Sequence, residues 1–305
     1  MHSVKALYKC QRITAIGGGH GLGRVMASLG FLGERLAGIV ATTDDGGSTG
    51  RLREASGCIA WGDLRNCLNQ LCSDSPNLAR ILFEYRFKNS GEMNGHNLGN
   101  LILLAMDQMC VRPLDAINLI RQMLLVNAEL IPMSEEPARL GAMVNGARII
   151  GETTIDGLSE RPEQLMIVPE INPTREAVSA VQEAEIIILG PGSFMTSILP
   201  ALLIPEIATS VRDSKALKVF VGNINPEVSP VSQMTMADKL DWMEQMTGVY
   251  PDTLLWPAER GDDPGSVKCD VQIRKLADGF QSGAHSREAL RDNLDALAEL
   301  HLSAG

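Results

Sequence analysis

The sequence predicts an α/β protein, a doubly wound and mostly parallel sheet between two helical layers (Rossmann-like), with a small β-rich insertion. Short apolar runs such as Leu36 to Ala41 and Glu185-Ile186-Ile187-Ile188-Leu189 read as strands buried on both faces. Helical patterns alternate with them. Several of the strands run into loops of glycines and hydroxyls ahead of a helix, the places where open α/β sheets bind ligands. A chain of 305 residues can bury a large core, and the pattern predicts one domain over 1–305 with the insertion at 133–165.

Taken in order, residues 12–16 predict the first strand, 17–23 a tight glycine turn, and 22–32 a helix. The second strand spans 36–41. A helix at 63–73 opens on Asp63 as its N-cap, and another spans 98–109. Residues 113–124 predict a helix and 129–132 a strand. Asn145-Gly146, between apolar runs at 140–144 and 147–150, is a strong hairpin signal; the hairpin and 151–165 are expected to form the insertion. A strand at 165–168 is followed by a helix through Ala184, with Pro173 at its first position. Residues 217–221 predict a buried strand, with 223–226 lying just past its end. In the helix at 234–246, Met236, Leu240, Met243 and Met246 share a face that reads as core. Residues 261–266 predict a mobile loop. Ser286 opens a final helix striped by Leu290, Leu294 and Leu297.

The chemistry concentrates in the loop after the second strand, Thr43-Asp44-Asp45-Gly46-Gly47-Ser48-Thr49-Gly50-Arg51-Leu52-Arg53. Glycines let backbone N–H groups approach a phosphate, arginines supply bidentate charge, and paired aspartates can hold a divalent cation. The plainer alternative is a glycine-rich surface turn. The first loop, Gly17-Gly18-Gly19-His20-Gly21-Leu22-Gly23, suits an anion at a helix N-terminus. It does not match G-x-G-x-x-G, and Gly23-Arg24-Val25 breaks the Walker pattern, which disfavours a dinucleotide oxidoreductase. Further polar clusters stand at Trp61-Gly62-Asp63-Leu64-Arg65-Asn66, Gly95-His96-Asn97-Leu98-Gly99-Asn100 and Gly190-Pro191-Gly192-Ser193. Asp63 alone is equally an ordinary helix cap, and His96 equally a satisfied buried histidine.

These five motifs, in this order, resemble the family of 2-phospho-L-lactate transferase (CofD) and the bacterial gluconeogenesis factor (YvcK). The resemblance spans about 12–260, and Thr196-Ser197-Ile198-Leu199-Pro200 is similar to the gluconeogenesis-factor branch. It implies a doubly wound fold and one of two activities. One branch transfers a phospholactyl group from a nucleotide diphosphate to a deazaflavin with magnesium. The other binds UDP-sugars such as UDP-N-acetylglucosamine, and supports cell shape and growth on gluconeogenic carbon sources. By position, the resemblance implies a nucleotide pocket lined by Gly18, Gly19, His20 and Gly21. Asp44, Asp45 and Asp63 would serve Mg²⁺ or phosphate. Asn97 and Asn100 would meet base or sugar, and Gly190, Gly192 and Ser193 the phosphates. Gly46, Gly47, Ser48, Arg51, Arg65 and His96 complete the expected set. His20 stands where many members carry Thr, and Ala201 where they carry Asn. A homodimer and a further protein partner are also expected.

Hydrophobic content of 45% with 21% charged residues is globular, and a net charge of −10 argues against nucleic-acid or membrane-surface partners. Phosphate must then be held locally, by Arg24, Arg51, Arg53, Arg65 and helix N-termini. No apolar run approaches the roughly 20 residues of a membrane span, and no apolar segment near Met1 suggests a signal peptide. The six cysteines lack metal spacing and read as reduced core thiols, so a cytoplasmic protein is expected. Only 4% of residues are aromatic, with Trp61 the one ring inside a motif, and this weighs against a stacked deazaflavin acceptor. A binding regulator without turnover is therefore expected, ahead of the transferase.

Overall fold

The apolar runs become strands of one sheet because a parallel strand covered on both faces must be apolar on both. The computed structural model describes residues 4–72, 78–279 and 281–304. From the start, β1 (Ile13–Gly17) leads into α1 (Gly19–Leu29) and, through a 3-10 segment, β2 (Leu36–Val40). Five helices follow: α2 (Gly47–Ser56), α3 (Trp61–Leu71), α4 (Leu78–Glu84), α5 (Leu98–Met109) and α6 (Pro113–Met123). Next come β3 (Glu129–Pro132), β4 (Arg139–Val144), β5 (Ala147–Ile150), α7 (Glu152–Asp156) and β6 (Gln164–Val168). The chain continues through α8 (Arg175–Gln182) and β7 (Ile186–Leu189) to a π turn (Phe194–Ile198), α9 (Leu199–Leu202) and α10 (Pro205–Asp213). It closes with β8 (Leu217–Val221), α11 (Met236–Thr247), β9 (Thr253–Pro257), β10 (Asp270–Arg274), β11 (Ala277–Asp278), β12 (Gln281–His285) and α12 (Arg287–Ala304).

Seven strands form the main sheet in the order β10-β9-β8-β7-β1-β2-β3, and every neighbouring pair is parallel. The order reverses between β1 and β7, which sets a topological switch point there. Alternate side chains serve two cores. Ile187 and Leu189 pack with α8 to α11 on one face; Ile186 and Ile188 pack with α1, α3 and α12 on the other. Met236, Leu240 and Met243 are core, as are Leu290, Leu294 and Leu297.

Several elements depart from the expected reading. The stretch after β2 is a loop only to Gly46 and then winds into α2. Gly50 sits inside α2 because any Cβ there would run into the Asp45 carbonyl. Asp63 is the third residue of α3, not its cap, since the helix starts at Trp61 with Ala60 before it. The expected end of this helix at Ser73 lies outside the described residues. Pro173 precedes α8 instead of opening it, because Thr174 holds the cap position. The insertion runs past 165: β6 pairs antiparallel with β4 and completes a three-stranded sheet, β5-β4-β6. The segment 261–266, expected to be mobile, is held by Trp256 Nε1–H donating to the Asp262 carbonyl (3.1 Å) and Ala237 N–H to that of Pro264 (3.0 Å). Among the described residues no single helix is long and apolar enough to cross a membrane. One bent pair meets the length and composition, but its residues Phe194, Ile198, Leu199, Ile207 and Val211 are buried core.

Candidate functional site at the sheet switch point

The loops after β1 and β7 meet at the switch point with almost no space between them. A Cβ on Gly21 would lie 2.8 Å from the Pro191 carbonyl carbon and closer still to its oxygen, so only glycine allows this approach. Gly18 is enclosed by the Asp63 carboxylate and by Ser197, whose Oγ would stand 3.3 Å from any Cβ. α1 begins at Gly19 with no side-chain cap, and the first N–H groups of such a helix favour an anion.

On the β7 side, Asn223 and Glu227 lock the loop. Asn223 accepts the Gly192 N–H (3.0 Å) and donates back to the Gly192 carbonyl (2.9 Å). Glu227 accepts the Ser193 hydroxyl (2.8 Å) and the Phe194 N–H (2.9 Å), and pairs with Lys239 at 3.3 Å. Ser193 thus holds the loop in shape, and the Gly192 N–H already has a partner. The π turn that follows is of a kind frequent at functional sites.

The wall formed by β2 and α3 is acidic. Burial and then the neighbouring Asp44 push the half-buried Asp63 up to about 7, while its carboxylate accepts the Gly19 N–H. Burial, Asp44 and Asp63 likewise push Glu152, from the insertion, well above the usual carboxylate range, although Thr43 donates to it at 3.1 Å. Gly62 leaves room for this wall, for a Cβ there would lie 2.7 Å from Asp44 Oδ2. Asp45 serves elsewhere. It accepts the N–H groups of Glu152 (3.0 Å) and Thr153 (3.0 Å) and the Thr153 hydroxyl (2.9 Å), so it caps α7 and ties the loop to the insertion. Of the expected metal set of Asp44, Asp45 and Asp63, Asp45 is spent on three donors, while Asp44 and Asp63 both act on the charge of Glu152.

Mg²⁺ is implied by the family, and the donor set suits it in part. Asp44 raises the charging cost of Asp63 and of Glu152, and Asp63 that of Glu152, a strain that a cation would relieve. Among the described residues, no cluster of three such side chains forms a ready-made metal cage. Magnesium is ordinarily held by one or two carboxylates, waters and phosphate oxygens, and Asp44 and Asp63 meet that requirement.

The remaining expected residues join α2 to α5. Ser48 Oγ lies 3.3 Å from His96 Nδ1 and accepts the Asn97 N–H at 3.1 Å. Asn97 caps α5 by accepting the Asn100 N–H (3.3 Å). Asn100 donates to Ser48 and Thr49 (both 3.4 Å), and its carbonyl oxygen is buried without a partner. Burial, then Arg51, lowers the His96 pKa and keeps this imidazole neutral. The arginines divide. Arg53 is buried and spends its guanidinium on the carbonyls of Thr43, Asp44 and Ala138, so it is a clamp on the insertion and not a phosphate ligand. Arg51 is exposed with one bond to the Asn94 carbonyl (2.9 Å), and Arg65 lies against Gly99 with its charge near His20 and Asp63. Trp61 is buried to 1% exposure and offers no ring for stacking.

A cavity of about 360 Å³ opens beside the switch point, between His20, Arg24, Gln70, Asn223, Asn225 and His285. His20 is exposed, and burial of its ring followed by Arg65 lowers its pKa. His285 anchors the far wall, with Nε2 2.9 Å from the Gly222 carbonyl. A larger cavity, about 600 Å³, lies near the amino end of β3 beside Glu34, Arg121 and Glu129, and holds none of the expected residues. Glu152, Glu227 and His285 escaped the sequence reading because each reaches the site from a distant segment. Asn223, two residues past the end of β8, was the one legible signal.

The chain is similar in sequence and fold to known proteins. The family model described as 2-phospho-L-lactate transferase CofD matches residues 13–276. A Yersinia pestis protein named "Putative gluconeogenesis factor" is 51% identical over 95% of this chain and 95% of its own length. The gluconeogenesis factor of Bacillus subtilis is 35% identical over 93% of this chain and 90% of its own. A solved structure from Bacillus halodurans, a member of the UPF0052 family, superposes with a TM-score of 0.80 at 26% identity, covering 93% of this chain and 99% of that one. On its fold, its switch-point loops and these relatives, the chain belongs to the CofD family, among its gluconeogenesis factors.

Proposed function

We propose that the chain binds a nucleotide diphosphate sugar, such as a UDP-sugar, and acts in the cytoplasm as a regulator, passing its ligand state to a protein partner to control growth on gluconeogenic carbon sources and cell morphogenesis. The observation that carries this reading is the meeting of the Gly18–Gly21 and Gly190–Ser193 loops at the switch point, facing Asp44 and Asp63. A diphosphate set against α1, with Mg²⁺ shared between its oxygens and these two acids, would offset the charge strain of the wall. The adjoining cavity leaves space for the base or the sugar. A thermal-shift screen of nucleotides and UDP-sugars, with and without Mg²⁺, tests the reading. At 100-fold excess over Kd, binding stabilises by about 2.7 kcal/mol. Absence of any magnesium-enhanced shift sinks the proposal.

One observation favours a second reading, a phospholactyl-type transferase. A carboxylate held at about 7 is poised as a general base at neutral pH, and Asp63 is such a group at the edge of the site. Steady release of nucleotide monophosphate from a nucleotide diphosphate adduct, lost in Asp63→Asn, would establish the transferase over the regulator.

A further inference from the structure

Three arginines gather on the α5 side of the cleft, and none of them forms an ion pair among the described residues. Arg51 Nη1 donates to the Asn94 carbonyl (2.9 Å) and Arg86 Nη1 to that of the next residue, Gly95 (2.7 Å), so two guanidiniums grip one turn. Gly95 gives them room, for a Cβ there would lie 3.2 Å from Arg51 Nη2. Arg65 reaches in from α3. Its Nη2 donates to Asn66 Oδ1 (2.6 Å), and its Nε is buried without a partner. A guanidinium carries five donors. Each of these three uses one, on a neutral acceptor. Arg86 lowers the pKa of Arg65, second only to burial and by more than any one of Glu84, Asp63 and Asp44 raises it. Glu84 is itself engaged, by Asn69 and by Arg80 at 3.9 Å. A chain of net charge −10 has acids in excess, yet none closes this cluster.

We propose that Arg65 and Arg86, with Arg51 at the border, bind a second anion of the phosphate class, beside the nucleotide and separate from its diphosphate. α3 packs against α1 on one side and α5 on the other. Asp63 and Arg65, two positions apart on α3, project from different faces of it. Asp63 faces α1, where it accepts the Gly19 N–H; Arg65 faces α5, where a Cβ on Gly99 would lie 2.9 Å from its Cδ. The acids therefore divide the α1 loop, where the diphosphate is set, from the arginines. The connection that carries Arg86 is fastened. Phe87 N–H donates to the His96 carbonyl (3.0 Å), Gly95 N–H to that of Phe87 (2.9 Å) and Leu98 N–H to that of Tyr85 (2.8 Å). Phosphate suits the cluster better than a carboxylate, because its several acceptor oxygens can meet more than one guanidinium fork. The inference deepens the proposed function and rests on it for the place of the diphosphate.

Calorimetry at constant ionic strength tests it, with inorganic phosphate and glycerol 3-phosphate as separate probes of a free phosphate and a monoester. Each is titrated into free protein and into protein saturated with UDP-N-acetylglucosamine and Mg²⁺. Both probes are expected to bind the saturated protein in the millimolar range, and the tighter one names the source. Arg86→Ala is expected to weaken them about tenfold, the effect of one charge-assisted contact, and to leave UDP-sugar affinity unchanged. Arg86→Lys should restore part of the loss. Arg86 is exposed, so circular dichroism of both variants is expected to match the parent. Arg148→Ala, exposed on β5, should change neither ligand. No phosphate binding by the parent, displacement of phosphate by the UDP-sugar, or equal phosphate affinity in Arg86→Ala overturns the inference. If the parent binds no UDP-sugar, the nucleotide reading falls instead, and the effect of Arg86→Ala on phosphate binding to free protein still decides the arginine site.

Discussion

The loops after β1 and β7 and the loop after β2 border the same cleft but are built on opposite principles. The first pair is set by packing. Gly18, Gly21 and Gly192 stand where a Cβ would strike Asp63, Pro191 or Ser197, and Asn223 and Glu227 hold the backbone from behind. The second is set by charge: Asp44 makes Asp63 and Glu152 harder to ionise, Asp63 adds to the effect on Glu152, and Asp45 and Arg53 bind the insertion to this wall. One wall should therefore fail by displacement when it is altered, and the other by a change of pH or metal response.

The largest expected effect tests the packed wall. Gly21→Ala must drive α1 from the Pro191 loop, and overpacking of this kind costs roughly 1–3 kcal/mol. Chemical denaturation should place the variant near the upper end, with UDP-sugar binding lost. Unaltered stability would show that the loops yield freely.

Asp45→Ala removes the α7 cap, and loss of a cap costs about 0.5–2 kcal/mol. The insertion should become the first site of proteolysis, while Mg²⁺-dependent binding persists. Loss of the magnesium response with the insertion intact would return Asp45 to the metal set.

Arg51→Ala should weaken UDP-sugar binding about tenfold with the fold preserved, because charge-assisted hydrogen bonds contribute roughly 1.5–3 kcal/mol. Calorimetry showing equal affinity would remove Arg51 from the site.

A further effect concerns pH. The folded pKa of Asp63, about 7, lies above that of a free carboxylate, 3.8, so the unfolded chain releases this proton first as pH rises. Asp63 therefore lowers stability progressively from about pH 4 to pH 7, by up to roughly 4 kcal/mol without ligand. Asp63→Asn should flatten that slope in denaturation curves measured across the range. An unchanged slope would place the strain elsewhere.

The same contrast explains what the sequence disclosed. Strands β1, β2, β7 and β8 were legible because burial on both faces demands unbroken apolar runs, and the Asn145-Gly146 hairpin because its turn chemistry is local. α2 was not legible: Gly47 and Gly50 argue against a helix until the Asp45 carbonyl that Gly50 must pass is known. β9 carries Pro257 at its end and was passed over, though every residue in it is buried. In the site, positions fixed by close approach were marked by their glycines. Roles fixed by distant partners were hidden. Nothing near Asp45 announces Thr153, 108 residues away, and nothing near Ser193 announces Glu227.

The bond between Asp45 and the start of α7 also makes residues 45 and 152–153 one hereditary unit. An insertion transplanted from a relative that lacks a hydrogen-bonding match to residue 45 would arrive with an uncapped first turn, and the recipient loop with an idle acid. Chimeras that exchange the insertion should therefore carry position 45 with it, although the two segments lie about a third of the chain apart.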